Sequence, residues 1–262
     1  MRDELRECLK ELEAVREAGE RRQDYLLTLV HEFRNPLTAV AGSVEILEDK
    51  LADRMEPRER EFFDVINAGL ARLNQMLDEM LELTALEGRS VGLRTAPTDF
   101  PALLQTIMVE YEPRARLAGV TLKPVEAVGE VPLVECDPEL MGRVISNLIS
   151  NGIKYNRAGG SVTATVSAQD GTLRVDVADT GAGIREEDYP KIFTRFYRAA
   201  DVREKKIAGT GLGLTIARKI VEFHQGEMWF TSAYGAGSTF TFTIPVAGPR
   251  DGTENGDEPV QE

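Results

Sequence analysis

Two stretches near the start of the chain repeat apolar residues at alternating steps of three and four. The first runs through Leu5, Cys8, Leu12, Val15, Gly19, Arg22, Leu26, Leu29 and Phe33, and the second through Phe63, Ile66, Leu70, Leu73, Leu77, Met80 and Thr84. This heptad spacing gives each of two helices one apolar seam, weakened at Gly19 and Arg22. The short segment LADRMEP between them predicts an antiparallel helical hairpin. Because one hairpin buries little apolar surface, we expect two copies to form a four-helix bundle; the alternative is a monomeric hairpin packed on the rest of the chain.

The pattern changes after EGRSVGLRTAPTDFP, where glycine and proline end the heptads. Helical spacing follows over 100–117, 138–155 and 212–224, with short strand-like runs between these segments. The alternating runs SVTATVSAQ and LRVDVAD flank Asp170 and Gly171, which is a hairpin signal. Two more strands surround a glycine-containing turn near the C-terminal end. Helices and mostly antiparallel strands in this order predict an α+β fold with a two-layer α/β sandwich.

These patterns divide the chain into four predicted segments. They are a coiled-coil helix over 1–23, the hairpin over 24–88, the sandwich domain over 89–246 and a tail over 247–262. The tail is rich in glycine, proline and acidic residues, so we expect it to be disordered.

Composition excludes some partners. The net charge of -13 and the pI near 4.8 argue against binding to nucleic acid or to an anionic membrane, since both need a basic surface. Two distant cysteines, Cys8 and Cys136, fit neither a disulfide framework nor a zinc cluster, which favours a reducing, cytoplasmic location. No apolar run reaches membrane-spanning length, so we expect a soluble chain or the cytoplasmic part of a longer one.

Two glycine-rich motifs could bind a nucleotide. DTGAGI, from Asp179 to Ile184, follows a strand; the Asp179 carboxylate can accept from an exocyclic amine, and Gly181 and Gly183 leave room for a flat ring such as adenine. GTGLGL, over 209–214, opens a helix whose free N–H groups suit phosphate. Each motif alone is more often an ordinary turn, but the pair favours a nucleotide.

A polar helix face and a basic loop could complete such a site. Asn147, Asn151 and Lys154 share one face of a helix, where an amide oxygen can ligate Mg²⁺ and Lys154 can offset phosphate charge, although a solvated surface is the commoner reason for such residues. The segment between the glycine motifs contains Arg195, Arg198, Arg203, Lys205 and Lys206. It could be a mobile lid with cations facing phosphate, or a plain charged loop.

The stretch LVHEFRNPLTAV places a histidine and several polar residues within one helix. His31 falls opposite the seam, so it should face solvent rather than the core. A metal site would need further ligands, and the other histidine, His224, belongs to the sandwich domain. His31 is therefore an idle surface residue or a nucleophile. Glu32 is adjacent and Asn35 lies one turn on, and either could assist a reaction at the ring.

Five motifs in this order resemble the catalytic core of a two-component sensor histidine kinase. HEFRNPL is similar to the phosphoacceptor box, NLISNGIKYN to the N box, DTGAGI to the first Gly box, FTRFYR to the F box and GTGLGL to the second Gly box. The resemblance runs from about Asp24 to Pro245. Some positions differ from many members, which have Leu and Thr where this chain has Phe33 and Asn35.

The resemblance implies a role for each matching residue. His31 would be the phosphoacceptor, with Glu32 as general base or orienting partner and Asn35 positioning groups for transfer. Asn151 would hold Mg²⁺ and Asp179 would read the adenine of ATP. The other residues implied in the nucleotide site are Asn147, Lys154, Tyr155, Gly181, Gly183, Ile184, Arg195, Arg198, Gly209, Thr210, Gly211, Leu212, Gly213 and Leu214. The phosphoryl group would pass from His31 to an aspartate of a separate response regulator receiver domain, and the enzyme would work as a homodimer.

Three other functions compete with this interpretation. ATP-hydrolysing clamps of the same superfamily use Glu where this chain has Asn147, and they lack the histidine hairpin, so the sequence disfavours them. A catalytically silent dimeric signalling module is disfavoured by the intact His31, Asn151 and Gly motifs. A dominant phosphatase activity toward the regulator would use Glu32 and Asn35, and the sequence leaves it open.

Overall fold

The computed structural model describes residues 28–30, 32–52, 54–87, 92–199 and 209–248. They fall into two compact units. The first, the hairpin unit, takes the described residues of Met1–Gly92 and Pro190–Lys219, and the second, the sheet unit, takes those of Leu93–Tyr189 and Ile220–Glu262. The coiled coil predicted over 1–23 and most of the predicted tail lie outside the described residues, and the predicted domain bounds stay a prediction.

Two helices make up most of the hairpin unit. Helix α1 spans residues 32–51, and residues 28–30 are also helical. Helix α2 spans Pro57–Glu87 and begins with proline, whose missing N–H costs nothing in the first turn. The Glu59 carboxylate accepts a hydrogen bond from the main-chain N–H of Glu56 at 2.8 Å, which caps the same end. The break between the helices therefore lies where the sequence predicted it.

Polar contacts show that the two helices run antiparallel. Arg34 near the start of α1 donates to Asp78 in the second half of α2. Farther along α1, Glu48 accepts from Asn67 Nδ2 at 2.9 Å, and Asn67 comes earlier in α2. Because the contacts advance along one helix as they retreat along the other, the predicted antiparallel hairpin is confirmed.

Large apolar side chains stay exposed on the hairpin. Among the seam positions, Phe33 is 57% exposed, Ile66 43% and Leu73 46%, and Val65 beside the seam is 71% exposed. The predicted seams are thus only partly shielded within one chain, although Leu70 and Leu77 are half-buried. In the described parts of the chain, no helix combines the length and apolarity needed to cross a lipid bilayer.

The remaining elements alternate strands and helices. In chain order they are β1 Ala96–Thr98, α3 Phe100–Leu117, β2 Thr121–Leu122, β3 Glu126–Val128, β4 Val134–Cys136, α4 Pro138–Lys154, β5 Ser161–Gln169, β6 Thr172–Asp179, a 3₁₀ helix Glu186–Lys191, α5 Gly213–Phe223, β7 Glu227–Ala233 and β8 Gly237–Pro245. The sequence predicted the three helices to within two residues. It did not predict β1, which lies in the segment read as a break, or the 3₁₀ helix.

The main sheet has the order β2-β5-β6-β8-β7, with β3 also paired to β5. Strands β5, β6, β8 and β7 are antiparallel, and the short β2 and β3 run parallel to β5. A separate two-stranded sheet joins β1 and β4. Asp170 and Gly171, with φ of 51° and 72°, form the turn between β5 and β6, which is a left-handed pair typical of tight hairpins. The predicted α+β fold is confirmed.

The core of the sheet unit lies between one face of the sheet and helices α3 and α4. Alternation along the strands turns Val162, Val175 and Phe242 inward, and each is fully buried. Ile145 of α4 is also fully buried, and the ring of Phe100 at the start of α3 lies 6.5 Å from that of Phe242. Helices on one face and sheet on the other make the predicted two-layer sandwich.

A buried polar contact fixes the start of α4. Asp137 caps this helix by accepting from the N–H groups of Glu139 at 3.2 Å and Leu140 at 3.1 Å. The main-chain N–H of Asp137 donates to Nε2 of His224 at 3.0 Å, while Nδ1 of His224 lies 2.8 Å from the carbonyl oxygen of Ile220. Nδ1 therefore carries the proton. Burial lowers the pKa of His224, although the Ile220 carbonyl and the Asp137 charge oppose the shift. His224, which had no predicted role, is a structural residue.

Candidate functional site

Asp179 ends strand β6 at the edge of the sheet unit's core. Its Oδ1 accepts from the N–H of Gly181 at 2.7 Å, and the N–H of Ser238 also donates to the carboxylate. Burial raises the pKa of Asp179, and the two N–H donors oppose that shift. The turn thus holds the carboxylate in one orientation, as recognition of an amine requires.

The first Gly motif packs directly on the end of α4. The N–H of Ala182 donates to the carbonyl oxygen of Tyr155 at 3.1 Å. A Cβ at Gly181 would stand 2.4 Å from that oxygen, so only glycine allows the approach. A Cβ built at Gly152 would lie 3.6 Å from that of Asp179. The structure therefore brings the N motif and the first Gly motif together within the sheet unit.

Asn147, Asn151 and Lys154 lie on the half-exposed side of α4. The buried side carries Met141, Val144, Ile145, Leu148, Ile149, Gly152 and Ile153, which leaves the three polar residues on one stripe, as their spacing predicted. The amides of Asn147 and Asn151 make no side-chain hydrogen bond to the part of the chain that the structure describes. Lys154 Nζ lies 4.8 Å from the centre of the Tyr155 ring. The amide oxygens are thus available to a ligand.

A shallow depression, open to solvent, lies beside Asp179. Its volume is about 370 Å³, and its lining includes Asp179, Ser232, Gly237, Ser238 and Thr239. The Ser232 hydroxyl accepts from the N–H of Ile184 at 2.8 Å and donates to the carbonyl oxygen of Gly237 at 3.0 Å. Ser232 therefore connects the first Gly motif to the start of β8.

The second Gly motif belongs to the hairpin unit. The Thr210 hydroxyl donates to the Glu79 carboxylate of α2, and the carbonyl oxygen of Gly209 accepts from Arg72 at 3.0 Å. Gly211 has a φ of 79°, and a Cβ there would stand 2.8 Å from the main chain of Phe196, so this position also requires glycine. Leu212 is buried, while Gly213 and Leu214 begin α5.

The predicted phosphoacceptor segment is described only in part. Glu32 and Asn35 are exposed on α1, and Arg34 between them contacts Asp78 of α2. His31 lies outside the described residues. On the predicted lid, Arg195 is exposed and Arg198 is half-buried, while Arg203, Lys205 and Lys206 lie outside the described residues. Among the residues described, no group of three His, Cys, Asp or Glu side chains could hold a metal ion.

Family models match both regions. Residues 21–89 match the His Kinase A (phospho-acceptor) domain, and residues 136–248 match the histidine kinase-, DNA gyrase B- and HSP90-like ATPase. The chain belongs to the two-component histidine kinases. The resemblance inferred from the five motifs is confirmed, and these matches place HEFRNPL within the phosphoacceptor domain and the N and Gly motifs within the ATPase domain of this histidine kinase core.

Named relatives agree with this assignment. The adaptive-response sensory kinase SasA of Synechococcus sp. (strain JA-2-3B'a(2-13)) is 34% identical over 249 residues, covering 94% of this chain and 65% of SasA. Full-length ShkA in complex with AMPPNP superposes with a TM-score of 0.72 at 27% identity, covering 87% of this chain and 47% of ShkA. The histidine kinase ThkA, solved with the response regulator protein TrrA, gives 0.61 at 27% identity, covering 84% of this chain and 60% of ThkA. The chain thus spans less than two thirds of the length of each of these three relatives.

Several residues that hold the motifs of this histidine kinase core in place were not predicted from the sequence. Ser238 supports Asp179 and Ser232 supports Ile184. In the sequence, only the glycine-containing turn between the two serines drew attention to this region. Arg72 and Glu79 reach the second Gly motif, but they look like ordinary charged residues between seam positions.

Proposed function

We propose that this chain is an ATP-dependent protein histidine kinase that phosphorylates its own His31. The observation that carries the proposal is the arrangement in the sheet unit, where the fixed carboxylate of Asp179 lies against the helix that presents Asn147 and Asn151 without side-chain hydrogen bonds to the described chain. An acceptor for the adenine amine and free oxygens for a cation are what an ATP site needs.

The proposed nucleotide contacts follow from the motifs. Asp179 accepts from the adenine amine, while Gly181, Gly183 and Ile184 shape the wall beside the ring. Lys154, Tyr155 and Asn147 line the nucleotide. Positive charge and N–H donors for the phosphates come from Arg195, Arg198, Gly209, Thr210, Gly211, Leu212, Gly213 and Leu214.

Asn151 is the proposed Mg²⁺ ligand. Magnesium takes oxygen ligands, and an amide oxygen can join a shell otherwise made of phosphate oxygens and water. The half-exposed Asn151 amide has no competing hydrogen bond within the described chain, so it fits this role. When bound, the ion would offset the charge of the phosphates.

The proposed reaction moves the γ-phosphoryl group of ATP onto a ring nitrogen of His31. A bond forms between nitrogen and phosphorus as the bond from phosphorus to the leaving ADP oxygen breaks. Glu32 accepts a hydrogen bond from the opposite ring N–H and offsets the imidazolium charge as it forms; when that proton moves to Glu32, the phosphorylated ring is left neutral. Asn35 positions groups at the same face. The phosphoryl group then passes to an aspartate of a response regulator, which regenerates His31.

Two partners and a location belong to this proposal. The exposed apolar side chains of α1 and α2 fit pairing with a second copy into a four-helix bundle. A response regulator receiver domain is the phosphoryl acceptor, in keeping with the ThkA complex. A cytoplasmic location fits the free, buried Cys136, where burial raises the pKa of the thiol and keeps it unreactive.

Incubation with labelled ATP tests the proposal. The wild-type chain should gain an acid-labile, base-stable phosphate in the presence of Mg²⁺, and His31→Gln and Asn151→Ala should each abolish it. His31→Gln should still bind nucleotide, which separates loss of the acceptor from loss of the site. Mixing the two variants distinguishes transfer between chains from transfer within one. A wild-type chain that gains no label under any condition would favour the silent signalling module.

A further inference from the structure

Two points of contact hold the second Gly motif on helix α2. Thr210, which is 7% exposed, donates its hydroxyl hydrogen to the Glu79 carboxylate. The neighbouring carbonyl oxygen of Gly209 accepts from Arg72 at 3.0 Å. Arg72 and Glu79 are seven residues apart, so they lie two turns apart on one face of the helix. The motif therefore lies along α2 rather than touching it at one point.

Both oxygens of Glu79 are engaged. Oε1 accepts from Gln75 Nε2 at 2.6 Å, one turn earlier on α2, while Oε2 accepts from Thr210. Gln75 thus orients the carboxylate toward the Gly motif. On the other side of the contact, the Thr210 oxygen lies 3.3 Å from the N–H of Leu212, from which it accepts.

A hydroxyl has one hydrogen to donate, so Thr210 can serve only one anionic acceptor at a time. The same hydroxyl belongs to the motif proposed to bind phosphate. A phosphate oxygen placed there would also meet the negative charge of Glu79 at short range, and like charges repel. Binding of Glu79 and binding of phosphate at Thr210 therefore exclude each other.

We propose that Glu79 is a competitive latch: it holds the second Gly motif on the hairpin until a nucleotide phosphate displaces it. This inference rests on the proposed nucleotide site and adds its regulation. Phosphate binding at Thr210 must break the Thr210–Glu79 contact. Only chains in which this contact is open can bind phosphate there, so the apparent affinity for ATP is the intrinsic affinity multiplied by the fraction of such chains. By linkage, any change in the hairpin that weakens the Glu79 contact raises nucleotide affinity.

Calorimetric titration of the full chain with Mg-AMPPNP tests the latch. Glu79→Gln keeps the size of the side chain and removes its charge, and it should bind the nucleotide about fivefold more tightly than wild type. The matched control is Glu61→Gln, the same change at an exposed position of the same helix, which should leave the affinity unchanged. Adenosine, which has no phosphate, should bind wild type and Glu79→Gln equally.

A double-mutant cycle shows whether the effect passes through Thr210. In a Thr210→Val background, Glu79→Gln should increase the affinity for Mg-AMPPNP by clearly less than fivefold, because the hydroxyl for which the two anions compete is gone and only charge repulsion by Glu79 remains. An equal gain in that background, or a Glu79→Gln affinity no tighter than that of Glu61→Gln, would overturn the latch while leaving the nucleotide site intact. A wild-type chain that binds no nucleotide would overturn both.

Discussion

The two units bury their apolar side chains differently. In the sheet unit, strands and helices from the same chain cover each other, so that Phe242 and Ile145 are fully buried. In the hairpin, Phe33, Val65 and Leu73 remain exposed although they carry large apolar side chains. A two-layer sandwich closes its own core, whereas two helices cannot enclose one. We therefore expect the sheet unit to be stable within one chain and the hairpin to depend on a second copy.

The largest effect should come from opening the core of the sheet unit. Phe242→Ala removes a fully buried ring that packs near Phe100, and it should lower the free energy of unfolding by about 3–5 kcal/mol. Denaturant unfolding measures the change. Leu133→Ala is the control, because Leu133 is 60% exposed in the same unit and should cost under about 0.5 kcal/mol. Equal losses for the two variants would mean that this core is not closed.

A smaller effect should come from charging the exposed face of the hairpin. Leu73→Glu would place a carboxylate in the proposed interface between copies and weaken dimerisation by about 2–3 kcal/mol, or roughly 30- to 150-fold in Kd. Sedimentation equilibrium measures the Kd of dimerisation. Leu117→Glu makes the same change at a 91% exposed position at the end of α3, and the mass of its assembly in solution should equal that of wild type. If Leu73→Glu stays as dimeric as Leu117→Glu, the hairpin does not use this face.

The smallest effect should come from pH and should be confined to the sheet unit. In the folded chain, the pKa of His224 lies below its ordinary value of 6.5. Below about pH 6.5, the unfolded chain therefore binds a proton at His224 more readily than the folded chain does. Stability should therefore fall with falling pH, by at most about 1.4 kcal/mol per pH unit.

Unfolding midpoints between pH 7 and 5.5 measure this dependence, and His224→Gln should flatten it. Asp176 does not contribute to the change in stability over this pH range. Burial would raise the pKa of Asp176, but hydrogen bonds from Arg174 and Thr241 lower it below its ordinary value of 3.8, so its contribution is lost only at lower pH. Stability that rose on acidification in wild type but not in His224→Gln would show that His224 is readily protonated in the fold, because both proteins keep Asp179, whose raised pKa favours the folded state at low pH.

Local patterns predicted most of the fold and much of the candidate site. The heptads of α1 and α2 and the Asp170-Gly171 turn depend on residues close in sequence, so the sequence reveals them directly. The shared face of Asn147 and Asn151 is likewise a helical property. Strand β1 was not predicted because it has only three residues and because it forms by pairing with β4, which is distant in sequence.

The motif sequence by itself determined the family and indicated the residues that we propose to do the chemistry. Spacing within HEFRNPL, NLISNGIKYN and the two Gly motifs is local, and its physical reasons are helix periodicity and the room that glycine leaves. Only the tertiary structure decided that Ser238 holds Asp179, that His224 supports the start of α4, and that Glu79 holds Thr210. These contacts join residues far apart in the chain, and a polar side chain does not reveal its partner until folding excludes water and brings the two together.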